Sequence, residues 1–441
     1  MITRYTFPEM SRLWTEQAKF ESWLLVEKTV AGVQAQLGII PRSAARLIQR
    51  ATFSIPEIEE YERETNHDVI AFVRSVSKNL GSAGRYVHYG LTSYDVVDTA
   101  LALRCVEALK LIENELGRLQ KECGRLAQRY RHTPMIGRTH GMHAEPITFG
   151  LKCLSWYSET GRCITNVAKA RTEIGYGKLS GAVGSYAQLP VQVEEIVMRR
   201  LGLKSEPVST QVVPRDRHAL MLCTLAIVAA SLERMATEIR NLQRTEIGEV
   251  AEPFSKGQRG SSAMPHKKNP IICERVVSLA RVIRSYALVS LENVPLWHER
   301  DLTNSAAERI IIPESCTYLH YIVRKMTGVI SGLVVNTERM QENLVRSGCV
   351  FFSQSLMLEL VNAGMSRDKA YELVQSLAFG SLKEKTDLPS LAFANPEVTR
   401  LLKPRQLKKV FDVKNLLNQV DRVFKRCGIP LADRNTDASA H

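Results

Sequence analysis

From Cys105 the chain places Cys105, Leu109, Ile112, Leu116, Leu119, Cys123 and Leu126 at alternating intervals of four and three. An apolar stripe sustained over three heptads demands a long helix that buries one face against other helices. It must end before Pro134, because proline cannot continue a helix interior. The same spacing returns in Leu232, Met235, Ile239 and Leu242, on a helix expected from Asp216, and in Val276, Leu279 and Ile283. A last stripe runs through Leu319, Ile322, Met326, Val329 and Leu333. Another helix is expected from near Pro146 towards Gly175. No stretch shows sustained alternation with β-branched enrichment between turn signals, so strands should be few. The expected class is all-α, a bundle of long antiparallel helices whose ends carry loops.

Interruptions of this periodicity suggest three parts. Residues 1–93 form an N-terminal helical domain ending in GSAGRYVHYGLTS, and residues 94–345 form the central long-helix bundle. Residues 346–441 form a C-terminal helical domain broken at Gly364, Pro389, Pro396 and Pro404, and the polar tail after Leu431 is expected to be disordered. The glycine-rich run GYGKLSGAVGSYAQLP reads as a loop. It is not a dinucleotide fingerprint, since Ser180 takes the third position after Gly175 and Gly177 and the preceding segment is helical.

Composition narrows the partners. Lys and Arg number 59 against 46 Asp and Glu, a formal charge of +13, which raises the alternative of a helical scaffold binding nucleic acid through phosphates. The surplus is diffuse, however, without a basic arm or a stacking series of aromatics. A positive field also suits an enzyme whose substrate is an anion. The longest uncharged apolar run, Ala219–Leu232, is too short to span a bilayer and reads as a buried core helix. No signal peptide is expected at the N-terminus. Nine scattered cysteines, an odd count without CxxC pairs, fit reduced thiols and a cytoplasmic protein.

Residues 257–270, GQRGSSAMPHKKNP, are the chemically dense stretch. Two hydroxyls, Ser261 and Ser262, follow Gly260, and His266, Lys267 and Lys268 follow Pro265. Such a run is compatible with an ordinary surface connector, but its length favours a binding loop. The spacing excludes a P-loop. Asn269 and Pro270 have the character of a helix cap and first turn, which would put Glu274 in the opening turns of the next helix. His140 and His143 have HxxH spacing, yet no Glu follows the first His and no third ligand is near, so a metalloprotease-type site is not indicated.

The string GSSAMPHKKNP resembles the signature of the fumarase, aspartase and argininosuccinate lyase superfamily. Further segments sharpen the resemblance to the adenylosuccinate lyase family: Arg4–Tyr5, NHDV from Asn66, VHYGLTSYDVVDTA from Val87, GRTHGMHAEP from Gly137, STQ from Ser209 and WHERDLTNSAAER from Trp297. They cover most of the chain in the family's order. Fumarase, aspartase and argininosuccinate lyase share the loop but lack this combination, and remain the alternative within the superfamily.

The resemblance implies elimination of fumarate from adenylosuccinate to give AMP, and from the succinylated imidazole-carboxamide ribotide, in purine biosynthesis, with no metal or organic cofactor. It implies Ser261 as the base, His140 as the proton donor to the leaving nitrogen and Glu274 as the partner of His140. His67 would contact substrate, and Lys267 and Asn269 the succinyl carboxylates. Arg4, Tyr5, Arg300, Ser305 and Arg309 would hold the phosphate and ribose. Asp68, Thr92, Ser93 and Gln211 would surround the base and succinyl group, with Asn66, His88 and Ser262 also matching binding positions. Some relatives carry Asn where this chain has Arg275, which puts a contact there in doubt. The family also implies a homotetramer whose sites are shared between subunits, and no nucleic-acid or membrane partner.

Overall fold

The computed structural model describes residues 2–254, 257, 263–264 and 266–430. In chain order the main elements are α1 (Glu16–Gln36), α2 (Ile55–Thr65), α3 (Asp68–Ser77), α4 (Ser93–Arg129), β1 (Pro134–Thr139) and β2 (Met142–Thr148). There follow α5 (Phe149–Ile174), α6 (Val191–Leu201), α7 (Asp216–Leu242), α8 (Ile271–Glu292), α9 (Thr303–Ser331) and α10 (Arg367–Glu384). The chain is all-α: apart from the β1–β2 hairpin, the described strands are two residues long. Every residue of the Cys105–Leu126 stripe is buried, none more than 3% exposed. The heptad spacing thus marks the core face of α4, which ends at Arg129, short of Pro134 as expected.

Two compact units are distinguished. The first comprises residues 1–117, 162–234 and 275–326 and the second residues 118–161, 235–274 and 327–441. The first contains an apolar core in which Phe20, Trp23 and Phe72 pack ring on ring beside Val30, Val69, Val96 and Val193. Beside it lies a buried ion network. Arg215 donates from both terminal nitrogens to Asp98 at 2.7 and 2.9 Å, and from Nε and Nη2 to Glu308 at 3.0 and 3.2 Å. Burial alone would raise the Asp98 pKa, but the charge and hydrogen bonds of Arg215 hold it below the usual carboxylate range. A second buried pair, Lys178 with Asp95, ties the glycine-rich loop to the first turn of α4. In that loop Gly184 has φ +82°, and a Cβ there would lie 2.0 Å from the Ser209 carbonyl oxygen, so the close passage over the STQ segment requires glycine.

The second unit contains the hairpin and the C-terminal helices. Buried Leu356, Leu360, Ala370, Val398 and Leu407 form the C-terminal core. Pro389, Pro396 and Pro404, expected as breaks, stand in the first turns of short helices, where the missing N–H has no cost.

Two expectations are corrected. Pro146 lies in β2 and not at a helix start; α5 begins at Phe149, because residues 134–148 pair as an antiparallel hairpin. The helix after the 257–270 loop begins at Ile271. The Ile271 N–H donates to the Asn269 carbonyl, and the next two, those of Ile272 and Cys273, donate to the buried Glu252 carboxylate, a cap reached from about twenty residues upstream. Helix α7 runs from Asp216 to Leu242 as expected; it is long and apolar enough to cross a membrane by length and composition, although 56% of its apolar window is buried within the chain. No disulfide links cysteines among the described residues.

Removing one partner from a buried charge network leaves the others uncompensated. Arg215→Met should therefore destabilise the chain by roughly 3–5 kcal/mol, read by chemical denaturation. A loss no larger than that of a surface substitution would show the network to be dispensable.

Candidate active site

Helix α2 ends because Asn66 turns into the left-handed region, φ +50°, which asparagine tolerates. His67 then caps α3, its Nδ1 accepting a long 3.4 Å hydrogen bond from the Ile70 N–H. This contact leaves Nε2 as the nitrogen that carries the proton in the neutral ring. Asp68 opens α3, accepts from the Val69 N–H at 2.8 Å and pairs with Arg309 on α9 at 2.8 Å. The N–H of Thr92 donates to Asp95 at 2.9 Å and so fixes the Thr92–Ser93 turn before α4.

These local structures converge on one cavity of about 620 Å³ in the first unit. Its walls include Asn66, His67 and Asp68 from the α2–α3 junction, Thr92 and Ser93 from the start of α4, and Gln211. Arg300, Ser305 and Arg309 complete the set from the segment leading into α9. Nine residues named from the sequence are brought together here. Arg300 donates from Nη1 to Gln211 Oε1 at 2.8 Å, while its buried Nε–H has no acceptor among the described residues. Cationic forks beside the N-terminus of a long helix favour an anionic ligand.

Other named residues lie elsewhere. Arg4 and Tyr5 sit in the turn Thr3–Tyr5, where the Tyr5 ring meets Tyr321 edge-on at 5.8 Å. Arg275, the departure from relatives, has its guanidinium 5.8 Å from the Tyr5 ring centroid and donates to the Tyr321 hydroxyl at 2.8 Å. His88, φ +59°, places Nδ1 2.7 Å from Glu27, whose other oxygen accepts the His88 N–H at 2.9 Å. Burial alone would lower the His88 pKa, but the hydrogen bond and charge of Glu27, with Asp95 behind it, raise it above the ordinary value.

In the second unit His140 and Gly141 form the two-residue turn of the β1–β2 hairpin, with φ +54° and +79° between the paired Thr139 and Met142. Two consecutive positive φ values are the requirement of a type I′ turn. The hairpin is anchored by Arg138, which donates twice to the fully buried Glu249 at 2.8 and 2.9 Å; Asn343 donates to the same carboxylate at 2.9 Å. His143, on β2, has a lowered pKa, first through burial and then through Arg138. His140 and Glu274 are both exposed, and no hydrogen bond joins them within the chain. Lys267 is exposed and Asn269 half-buried; Ser261 and Ser262 lie outside the described residues.

Sequence reading missed two features. Tyr94 lines the cavity although only its neighbours Thr92 and Ser93 were singled out; its place inside the TSYDVVDT motif was the available signal. The fold also assembles Glu9, Glu115 and His320, with potential metal-ligating atoms within 4.8 Å of one another. No local spacing announces that group, and Arg324 already pairs with Glu9.

The Glu27–His88 pair generates a pH dependence. A histidine pKa raised on folding adds stability that is fully present below the unfolded value and is lost as pH rises through the folded one. The stability difference between the wild-type chain and Glu27→Gln should therefore be largest in mild acid and shrink above neutrality. Denaturation at several pH values tests it, and a constant difference would refute the coupling.

Comparison with known proteins gives the relationship. A family model described as lyase matches residues 3–284, and one described as adenylosuccinate lyase C-terminus matches residues 350–427. Adenylosuccinate lyase of Thermotoga maritima is 48% identical over 427 residues, 97% of this chain and 99% of the relative. That of Aquifex aeolicus is 47% identical over 430 residues, 97% and 98% of the two chains. Among solved structures, fumarate lyase from Mesorhizobium sp. BNC1 superimposes with a TM-score of 0.89 at 28% identity, covering 97% of this chain and 99% of that one. The 3-carboxy-cis,cis-muconate lactonizing enzyme from Pseudomonas putida gives 0.87 at 28% identity, covering 96% of each chain. With both family models matched in turn along the chain and two relatives at nearly half identity over 97% of it, this chain belongs to the adenylosuccinate lyase family.

Proposed function

We propose that the chain is an adenylosuccinate lyase that eliminates fumarate from adenylosuccinate to give AMP, and from the succinylated imidazole-carboxamide ribotide. The carrying observation is 47–48% identity to two adenylosuccinate lyases across 97% of the chain. The cavity adds support, since it presents the residues matched to phosphate, ribose and succinyl binding together: Arg300, Ser305 and Arg309 beside Asp68, Thr92, Ser93 and Gln211.

In the proposed reaction Ser261 removes a proton from the carbon next to a succinyl carboxylate. The electron pair moves onto that carboxylate as an aci-carboxylate, then re-forms a carbon–carbon double bond as the C–N bond breaks. His140 donates the proton to the leaving nitrogen, and its charged form is stabilised by Glu274. A serine needs its alkoxide stabilised to act as a base, a role assigned to Lys267 and backbone N–H groups of the loop. Lys267 and Asn269 would hold the succinyl carboxylates, and His67 offers its Nε2 proton to substrate.

The reading includes a homotetramer with shared sites, located in the cytoplasm. Support for assembly comes from apolar side chains left exposed on the long helices: Leu220 and Ile227 on α7, Leu288 and Leu291 on α8 and Ile310 on α9, each 48–63% accessible. Sharing would also explain why His140 and Glu274 have no bond within one chain. The absence of disulfides among the described residues suits a reducing compartment. A C-terminal domain beginning near residue 346 is supported by the family model that starts at residue 350.

An absorbance assay with adenylosuccinate, the imidazole ribotide and argininosuccinate tests the substrate class; turnover of argininosuccinate alone would overturn it. Ser261→Ala and His140→Ala should each lower turnover by ~10²–10⁴-fold while substrate still binds. Dissociated and reassembled together in equal amounts, the two inactive proteins should recover about a quarter of the sites, the expectation for independent assortment over equivalent shared sites. Mixed tetramers without recovered activity would refute the sharing of His140 and Ser261 between chains.

A further inference from the structure

Tyr94 is the second residue of α4 and is 9% exposed. The Arg300 guanidinium lies 3.4 Å from the centroid of its ring, and its hydroxyl donates to Ser305 Oγ at 3.3 Å. Arg300 is held from another side by Gln211 Oε1, and Gln211 Nε2 in turn donates to the Ala182 carbonyl at 3.0 Å. A guanidinium stacked on a ring and bonded at one nitrogen has few rotamers left. Its buried Nε–H still lacks an acceptor among the described residues. The Tyr94 hydroxyl occupies a lone pair of Ser305, which leaves the serine proton available to another acceptor. Ser305 lies one helical turn before Arg309 on the same helix, so Tyr94 touches two of the five groups matched to phosphate and ribose and sits beside the element carrying a third.

We propose that Tyr94 is a positioning residue for the substrate phosphate: its ring sets the plane of the Arg300 fork and its hydroxyl orients Ser305, so both donors are arranged before the nucleotide arrives. The inference rests on the reading that this cavity takes a nucleoside monophosphate. Leucine would leave an apolar side chain without a quadrupole to hold the cation, and phenylalanine would keep the ring but release Ser305. Burial raises the Tyr94 pKa, which keeps the phenol protonated and donating across the working pH range. The hydroxyl bond is long and the ring contact close, so the ring should carry the larger effect.

The test compares Tyr94→Leu, Tyr94→Phe and Arg300→Ala in the full-length protein, on adenylosuccinate and on the corresponding nucleoside without phosphate. The ratio of kcat/KM for nucleotide over nucleoside is the readout. Tyr94→Leu should lower that ratio roughly tenfold, the scale of one desolvated cation–π contact, by raising KM for the nucleotide. Tyr94→Phe should lower it by about two- to threefold, the lower end expected of a single neutral hydrogen bond. Nucleoside turnover should fall by less than nucleotide turnover in both. Equal losses on the two substrates, or an unchanged ratio, would overturn the role of Tyr94 while leaving the phosphate reading intact. If Tyr94→Leu does not fold, Tyr94→Phe decides by the same criterion. A wild-type ratio near unity that Arg300→Ala does not alter would instead remove the phosphate reading, and the proposal with it.

Discussion

The Arg215 network is the interaction on which the cavity depends. Asp98 belongs to α4, Glu308 to α9, and Arg215 directly precedes α7, so one guanidinium joins three elements by four charge-assisted hydrogen bonds. Both walls of the cavity continue from these anchors: Thr92 to Tyr94 lie within two turns of Asp98, and Ser305 and Arg309 lie within one turn of Glu308. A buried ion network of this kind adds little net stability relative to apolar packing. Its directional bonds fix the relative register of helices, which apolar contacts alone specify less strictly.

Around that anchor each cation of the cavity is held by a partner, charged or neutral. Arg309 is held by Asp68 and Arg300 by Gln211 and Tyr94, while Lys178 with Asp95 braces the turn beneath Thr92. Cations held in this way need little reorganisation when an anion enters, which is the basis of electrostatic preorganisation. The overall positive charge gave no hint of this arrangement, because it is spread over the whole chain.

Periodicity made the helices legible. The Cys105–Leu126 stripe foretold the buried face of α4, and the end before Pro134 followed from proline chemistry. The hairpin was illegible because residues 134–148 lack alternation, and His-Gly is a weaker turn signal than Asn-Gly. The Glu252 cap was illegible for a different reason: a carboxylate twenty residues upstream leaves no local pattern. The cavity residues span positions 66 to 309, and only the family resemblance grouped them before the fold did. Tyr94 went unnoticed because a tyrosine at a helix start reads as ordinary packing until Arg300 is seen on its ring.

The turn at His140 has a consequence for sequence drift. Two successive left-handed residues are best filled by Asn or Asp followed by Gly, and an imidazole is a poorer choice for the first of them. Local stability and the proposed proton transfer therefore rank the amino acids at position 140 in opposite orders. A population of variants selected for stability alone would drift from His140 towards asparagine, and one selected for turnover would drift back. Histidine at such a tip would then be a local compromise in which folding free energy is given up for the proposed proton transfer.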